Sequence, residues 1–322
     1  MTTAVLQDVP DVQEVQSKKG TGFSWPAVRS IQWFIPHVLF VVLLWLIFTP
    51  GADDSTPKGA FLAVLAISEA ALLFRRHSRS LSDIMAILYL LFIVWEIGTT
   101  KVEDVNLILY PSPAKVFAIF ASDWQKILDG IRSSMYLLGV GFSSALILGV
   151  LLGIVTGSVA RLRDSLLPLA KVISPIPPII YTPYAVAVLP TFEIASIFVI
   201  FSSIFWQIYI QVALSVSNID QKLLDSAKTM NLSATAMFIH VLWPYCLPNI
   251  MKTLPLSVAN AFMVLTAAEM IGATSGLGYF VRYYADFADY TRVIAGIFLI
   301  GIVVSALNYG IAELERKVVR WH

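Results

Sequence analysis

The fold class this sequence predicts is an all-α protein that crosses a membrane several times, and three observations carry that reading. Hydrophobic residues make up 57% of the 322 and charged residues only 13%. The apolar residues fall in long blocks rather than short periodic stripes, and a bilayer core of about 30 Å is spanned by about 20 such residues in a helix. Between the blocks the chain collects its charges and turn-forming residues.

Composition also removes whole classes of function. A net charge of +1 and no basic cluster interleaved with aromatics leave nothing for nucleic acid. The lone Cys246 excludes an internal disulfide and a thiolate metal cage. His37, His77, His240 and His322 are scattered, so no metal site and no catalytic cluster is expected. No GxxxxGK[ST] motif occurs, so the chain lacks a phosphate-cradling loop, and ATP would be bound by another subunit. No cofactor is expected.

In order, residues 1–27 are polar and read as a disordered cytoplasmic tail; an acidic start and a late apolar run argue against a cleavable signal. Residues 28–104 form an N-terminal membrane extension with apolar runs at Ile31–Thr49, Gly59–Phe74 and Leu81–Thr99. The second run carries Glu69. A carboxylate at membrane depth costs about 2.5 to 3.5 kcal/mol on insertion scales, so Glu69 should face protein, be neutral or pair. Residues 105–133 open on a proline turn and read as an external amphipathic connector.

The core, 134–322, begins with a run from Met135 to Val159 in which Gly141, Ala145, Gly149, Gly153 and Gly157 recur every fourth residue. Small residues in that register let a second helix backbone approach closely. Leu166–Leu189 contains Pro168, Pro175, Pro177, Pro178 and Pro183, too many missing donors for a straight helix. Backbone freed at membrane depth must be satisfied by protein or by water in a cavity. Pro175, Pro177 and Pro178 are therefore candidates for the wall of a translocation path. Further runs follow at Thr191–Val216, Ile250–Gly272 and Val293–Ile311, giving eight crossings, or six if the second and third runs are re-entrant. With a cytoplasmic N-terminus, fifteen of the 22 basic residues fall inside, along with the C-terminus.

The long polar interruption at 218–248 lies on that inner side. Leu223, Ala227, Met230, Ala234, Met237 and Val241 recur at helical spacing and form an apolar stripe opposite Lys222, Asp225, Lys228 and Thr229. Asp220 and Ser233 are positioned as N-caps of two short helices. Asn231 stands at the joint, since asparagine tolerates the left-handed conformation that ends a helix. An interfacial amphipathic helix without a partner is the plain reading of such a stretch.

This stretch resembles the EAA loop of binding-protein-dependent ABC importer permeases: Glu-Ala-Ala, three residues, Gly, nine residues, Ile-x-Leu-Pro. Here the positions read Asp225, Ser226, Ala227, then Asn231, then Val241, Trp243 and Pro244. Ala227 and Pro244 are identical to the pattern and Trp243 departs most from it. Three further stretches, YPSPAKV at Tyr110–Val116, LPLAKVISPIPP at Leu167–Pro178 and AAEMIGATSGLGYFV at Ala267–Val281, resemble the taurine, sulfonate, nitrate and bicarbonate branch, with LERKVVRW at Leu314–Trp321 closing the chain. The resemblance covers about residue 105 onward.

It implies a type I ABC importer transmembrane domain, a permease homodimer, two copies of an ATPase subunit below it and an extracytoplasmic substrate-binding protein above, in the inner membrane of a prokaryote with membrane lipid around it. Such a permease is not itself an enzyme. It moves a small anionic solute such as a sulfonate, nitrate or bicarbonate by alternating access. Asp225, Ser226, Ala227, Asn231, Val241 and Pro244 would couple to the ATPase. Glu269 stands where the family has an acid, either on the path or as a structural hydrogen-bonding group. Two rivals are an ion-coupled secondary transporter, which needs coupling acids at depth such as Glu69, and an intramembrane enzyme, for which the sequence offers no Ser/His pair or metal cluster.

Overall fold

The computed structural model describes residues 26–51, 56–75, 79–102 and 105–318. The tail over 1–25, Asp53 and Asp54, Arg76, His77, Arg320, Trp321 and His322 lie outside the described residues. Every regular element among the described residues is helical. They separate into two compact units, drawn from Met1–Leu107 with Ser112–Lys115 and from Ile108–Pro111 with Val116–His322.

The first unit is built from α1 (Pro26–Phe48), α2 (Gly59–Phe74) and α3 (Arg79–Glu96), the last running into a π turn at Ile97–Lys101. Leu43, Ile47, Phe61, Leu65 and Tyr89 form its buried centre. Phe61 meets Phe92 edge-on at 5.4 Å. The carbonyls left over at the end of α1 are satisfied by lysines: Lys58 Nζ donates to Ile47 O at 2.6 Å and Lys101 Nζ to Thr49 O at 2.6 Å.

Glu69 finds partners within this unit. His37 Nδ1 on α1 contacts its Oε1, Tyr89 on α3 donates to its Oε2 at 3.2 Å, and Ser68 and Tyr89 share a hydrogen bond of 2.8 Å. The carboxylate that membrane insertion penalises is thus enclosed by a polar cluster from three helices.

The division falls within α4 (Pro113–Ser122), of which the second unit takes the part from Val116; that unit also contains α5 (Trp124–Ser158), α6 (Ala160–Ile173), α7 (Pro178–Val188), α8 (Phe192–Ser217), α9 (Gln221–Thr229), α10 (Ala234–Met237), a π turn at Phe238–Leu242, α11 (Trp243–Gly272), α12 (Leu277–Asp286) and α13 (Tyr290–Val318). The pairing of α5 with α8 is its most extensive, and the small residues make it. A Cβ added at Gly141 would lie 2.8 Å from Ile200 Cγ2, at Gly153 2.8 Å from Val212 Cβ, and at Gly157 2.7 Å from Ala213 O, while Ala145 is fully buried. Backbone contact that close is how helices gain packing energy where lipid supplies no hydrophobic drive. Tyr209 adds a bond across the same seam, donating to Thr156 Oγ1 at 3.0 Å.

Three expectations about element boundaries change. The connector does not end before the first core helix: α5 is one helix of 35 residues from Trp124, about 52 Å long at 1.5 Å per residue, so its first turns outrun a bilayer core of about 30 Å. The last run of α11 does not start at Ile250. Helix continues from Trp243 with Pro248 and Pro255 inside it, because a proline removes one bond that neighbouring helices can compensate in a membrane bundle. The proline-rich segment is two helices, α6 of 14 and α7 of 11 residues, and not a single crossing. Among the described residues five helices are long and apolar enough to span by themselves, with α1 and α2 contributing shorter apolar stretches.

Candidate coupling loop and path wall

The polar interruption folds as a helix, a turn and a short helix. Asp220 Oδ1 accepts from Lys222 N at 2.9 Å at the start of α9, and Ser233 Oγ accepts from Ala236 N at 3.2 Å at the start of α10. Between them Asn231 has φ 52°, in the left-handed region. That single residue reverses the chain after Thr229 and breaks the apolar stripe in two. Ala227 is buried, Met237 and Val241 are half-buried and Ala234 is exposed. Leu223 and Met230 stand open at 43% and 73% exposure. The turn falls at the joint expected between two short helices, so the stripe does not continue as one face.

Asp225 and Ser226 lie on the solvent side of α9, where Asp225 Oδ1 accepts from Gln221 Nε2 at 3.0 Å and Ser226 Oγ donates to Lys222 O at 2.8 Å. Val241 falls in the π turn and Pro244 in the first turn of α11 directly after it. Trp243, the departure from the loop pattern, packs beside Phe238 and Ile239 in an apolar groove of about 390 Å³ closed by Ile147, Val150 and Leu151 of α5.

At the break between α6 and α7, Pro177 is extended (φ −64°, ψ 124°) and Pro178 opens the next helix. Pro175 and Pro177 are exposed and Pro178 half-buried. Apolar side chains around them also face outward, with Val172 at 74% and Ile180 at 70%.

Glu269 is differently placed. It is 1% exposed near the end of α11. Its Oε1 accepts from Ser134 Oγ on α5 at 2.6 Å and its Oε2 from Gly278 N on α12 at 2.7 Å. Ser134 Oγ in turn accepts from Leu277 N at 2.9 Å. Gly276 completes the clasp at φ 118°, a value that favours glycine, and any Cβ there would strike the carboxylate. One carboxylate therefore ties three helices together. Its side chain is enclosed by this chain, with a hydrogen bond at each oxygen.

Sequence reasoning did not single out Ser134, the partner 135 residues away, nor the polar seam between α8 and α11. There Gln211 Nε2 donates to Asn249 O at 2.8 Å and Thr253 Oγ1 to Gln211 Oε1 at 3.0 Å. Polar residues inside apolar runs were the available signal. Among the described residues no three His, Cys, Asp or Glu side chains gather as a metal site.

Residues 145–320 match the family model described as "Binding-protein-dependent transport system inner membrane component". A nitrate import permease protein of Synechocystis sp. is 29% identical over 270 residues, covering 79% of this chain and 98% of that protein. A taurine transport system permease protein of Escherichia coli is 26% identical over 244 residues, covering 72% of this chain and 86% of that protein. A bicarbonate transport system permease protein of Synechocystis sp. is 29% identical over 198 residues, covering 61% and 68%.

Proposed function

The chain belongs to the binding-protein-dependent transport system inner membrane components, and from that premise we propose that it is the permease subunit of an ATP-driven importer of a small solute in a prokaryotic inner membrane. The relatives are named for nitrate, taurine and bicarbonate, and a solute of that size carrying an oxyanion is the reading they support. The partners are two ATPase subunits at the loop face and a binding protein at the opposite face. A second copy of the permease completes the path, and both termini are cytoplasmic.

One observation carries the coupling role. A loop outside the lipid presents Leu223 and Met230 largely exposed on a helix aimed by the Asn231 turn. A large apolar side chain gains about 1.5 to 3 kcal/mol when fully buried, so a partner groove that covers these two stabilises the complex. ATP binding then shifts a two-state equilibrium of the permease because the ATPase pair holds the loop differently when closed. The broken segment around Pro175, Pro177 and Pro178 serves as the moving wall of the path, while Glu269 holds the outer end of α11 in place. Transport driven by a coupled ion is less well supported, because Glu69 is engaged by His37 and Tyr89.

Ala227 is buried at the base of the loop helix, and Ala227→Glu puts a charge there. Assembled with its ATPase and binding protein in proteoliposomes, the variant is expected to lose solute-stimulated ATP hydrolysis or release the ATPase. Unchanged assembly and stimulation in this variant would remove the loop from the coupling path. Pro177→Ala with Pro178→Ala should join α6 to α7 and depress uptake with assembly intact; normal uptake by the double variant would free the wall from its role.

A further inference from the structure

α11 belongs to the most buried of the long apolar helical stretches and is packed by α5, α7, α8, α12 and α13, yet it keeps one open face. Asn249, Lys252, Leu256, Asn260 and Met263 follow one another at steps of three and four residues, which places them on one side of the helix. Leu256 and Met263 are 69% and 64% exposed, Asn249 and Lys252 are exposed and Asn260 is half-buried. A face turned to lipid is apolar, because hydrocarbon offers a polar group no partner. This face carries two amides and an ammonium, so it is turned to water or to protein.

Lys252 is placed inside the span. Its neighbour Thr253 donates to Gln211 Oε1 at 3.0 Å, and Gln211 lies six residues, about 9 Å, before the end of α8 at Ser217. A lysine at that level requires polar surroundings, and the seam between α8 and α11 supplies them. Gln211 is held by the bond from its Nε2 to Asn249 O at 2.8 Å. Asn249 spends one of its two amide hydrogens on Ser215 Oγ, at 3.4 Å. Gln207, one turn from Gln211 on the same face of α8, is exposed.

No carboxylate of this helix pair offsets the ammonium. α8 and α11 together carry three charged side chains, Glu193, Lys252 and Glu269. Glu193 stands in the first turn of α8, and Glu269 is bound in the clasp at the far end of α11. The half of the pair that holds Lys252 therefore presents a single sign of charge among amide and hydroxyl groups. A wall of that kind concentrates ions of the opposite sign and repels those of its own, and an ammonium beside amide donors forms strong hydrogen bonds to an oxyanion. We propose that this open face of α11 lines the inner half of the solute path and that Lys252 sets the path's charge preference. This rests on the importer reading and adds to it a second wall and the side chain that reads the charge of what passes.

The test uses the full permease with its ATPase in nanodiscs. Leu256→Cys, one turn from Lys252 on the open face, is made in a Cys246→Ala background, and its thiol is reacted with two water-soluble methanethiosulfonates, the anionic 2-sulfonatoethyl and the cationic 2-trimethylammonioethyl reagent. Both should react, at rates that change when the ATPase pair is trapped closed with vanadate. Lys252→Gln, or Lys252→Met in its place, should lower the ratio of anionic to cationic rate by about tenfold or more, since one charge a turn away acts on the two reagents with opposite sign. Lys252→Arg should keep the ratio. A thiol that neither reagent reaches means that lipid or a second copy covers the face, and overturns the assignment. A ratio unmoved by loss of the lysine charge, or rates indifferent to vanadate, overturns it as well. ATP hydrolysis stimulated by the binding protein, measured on the wild-type preparation, separates the two readings. If it is present while the thiol result fails, the path assignment falls and the importer stands; if it is absent, the importer reading itself is at fault.

Discussion

The two ends of α11 are solved in opposite ways. At its C-terminal end, the outer one on the proposed topology, Glu269 is buried, both carboxylate oxygens accept hydrogen bonds from other helices, and Gly276 gives the carboxylate room. At its N-terminal end, the inner one on the proposed topology, the helix emerges from a loop whose Leu223 and Met230 are exposed and in which the bonds at Asp220, Gln221, Ser226 and Ser233 are local. The outer end is complete within one chain. The inner end leaves Leu223 and Met230 uncovered, as the proposed coupling role requires.

If that contrast is real, damage at the outer end should appear as lost stability of the permease itself, and the largest effect belongs to Glu269. Glu269→Ala removes the acceptor of the Ser134 hydroxyl and of the Gly278 N–H in a buried site. Each unsatisfied buried group costs about 1 to 3 kcal/mol, so about 2 to 6 kcal/mol in all is expected. Thermal unfolding of the purified permease in detergent reads it directly. A melting temperature equal to wild type would show that the clasp contributes nothing and that the outer end is no more finished than the inner.

The polar cluster of the first unit sharpens the comparison, because it too is completed within the chain, yet by a pair. Leaving one charge of a buried pair without its partner costs about 3 to 5 kcal/mol, whereas replacing both by apolar residues is often neutral. His37→Leu alone should therefore destabilise by about 3 kcal/mol, because it removes a partner of Glu69, and Glu69→Leu alone should destabilise as well, because it strips His37 and Tyr89 of a partner. His37→Leu with Glu69→Leu should recover most of the loss, because Ser68 and Tyr89 still bond each other. Additive losses in the double variant, measured by the same unfolding experiment, would mean that the cluster does more than neutralise Glu69.

Both ends were partly legible in the sequence, for different reasons. Local chemistry reads well: the caps at Asp220 and Ser233, the left-handed turn at Asn231 and the small-residue stripe of α5 all depend on residues within a turn or two of one another. Glu69 announced that it needed a partner but not which one, because His37 is 32 residues away and nothing in a linear pattern pairs them. Glu269 with Ser134 is the same case at 135 residues. The start of α11 misled: the apolar run begins at Ile250, whereas helix continues from Trp243 through Pro248. The exposure along the stripe was not legible, because which of Leu223, Ala227 and Met230 is covered depends on distant parts of the chain that a linear pattern does not show.

The smallest expected effect tests the inner end alone. Asn231 lies in a conformation that costs an ordinary L-residue about 1 to 2 kcal/mol and a β-branched one more, while glycine adopts it freely. Asn231→Gly should keep the turn, with stability within about 0.5 kcal/mol of wild type and solute-stimulated ATP hydrolysis near normal. Asn231→Val cannot hold the turn without strain. The loop is exposed and makes few contacts with the rest of the chain, so the strain is relieved by re-aiming α9 rather than by unfolding the bundle. The permease should then melt near the wild-type temperature and yet fail to couple, the reverse of what Glu269→Ala does. If Asn231→Val instead lowers the melting temperature as far as Glu269→Ala, the loop is part of the folded core. If it changes neither melting nor hydrolysis, the direction in which α9 points is irrelevant to the partner that covers it.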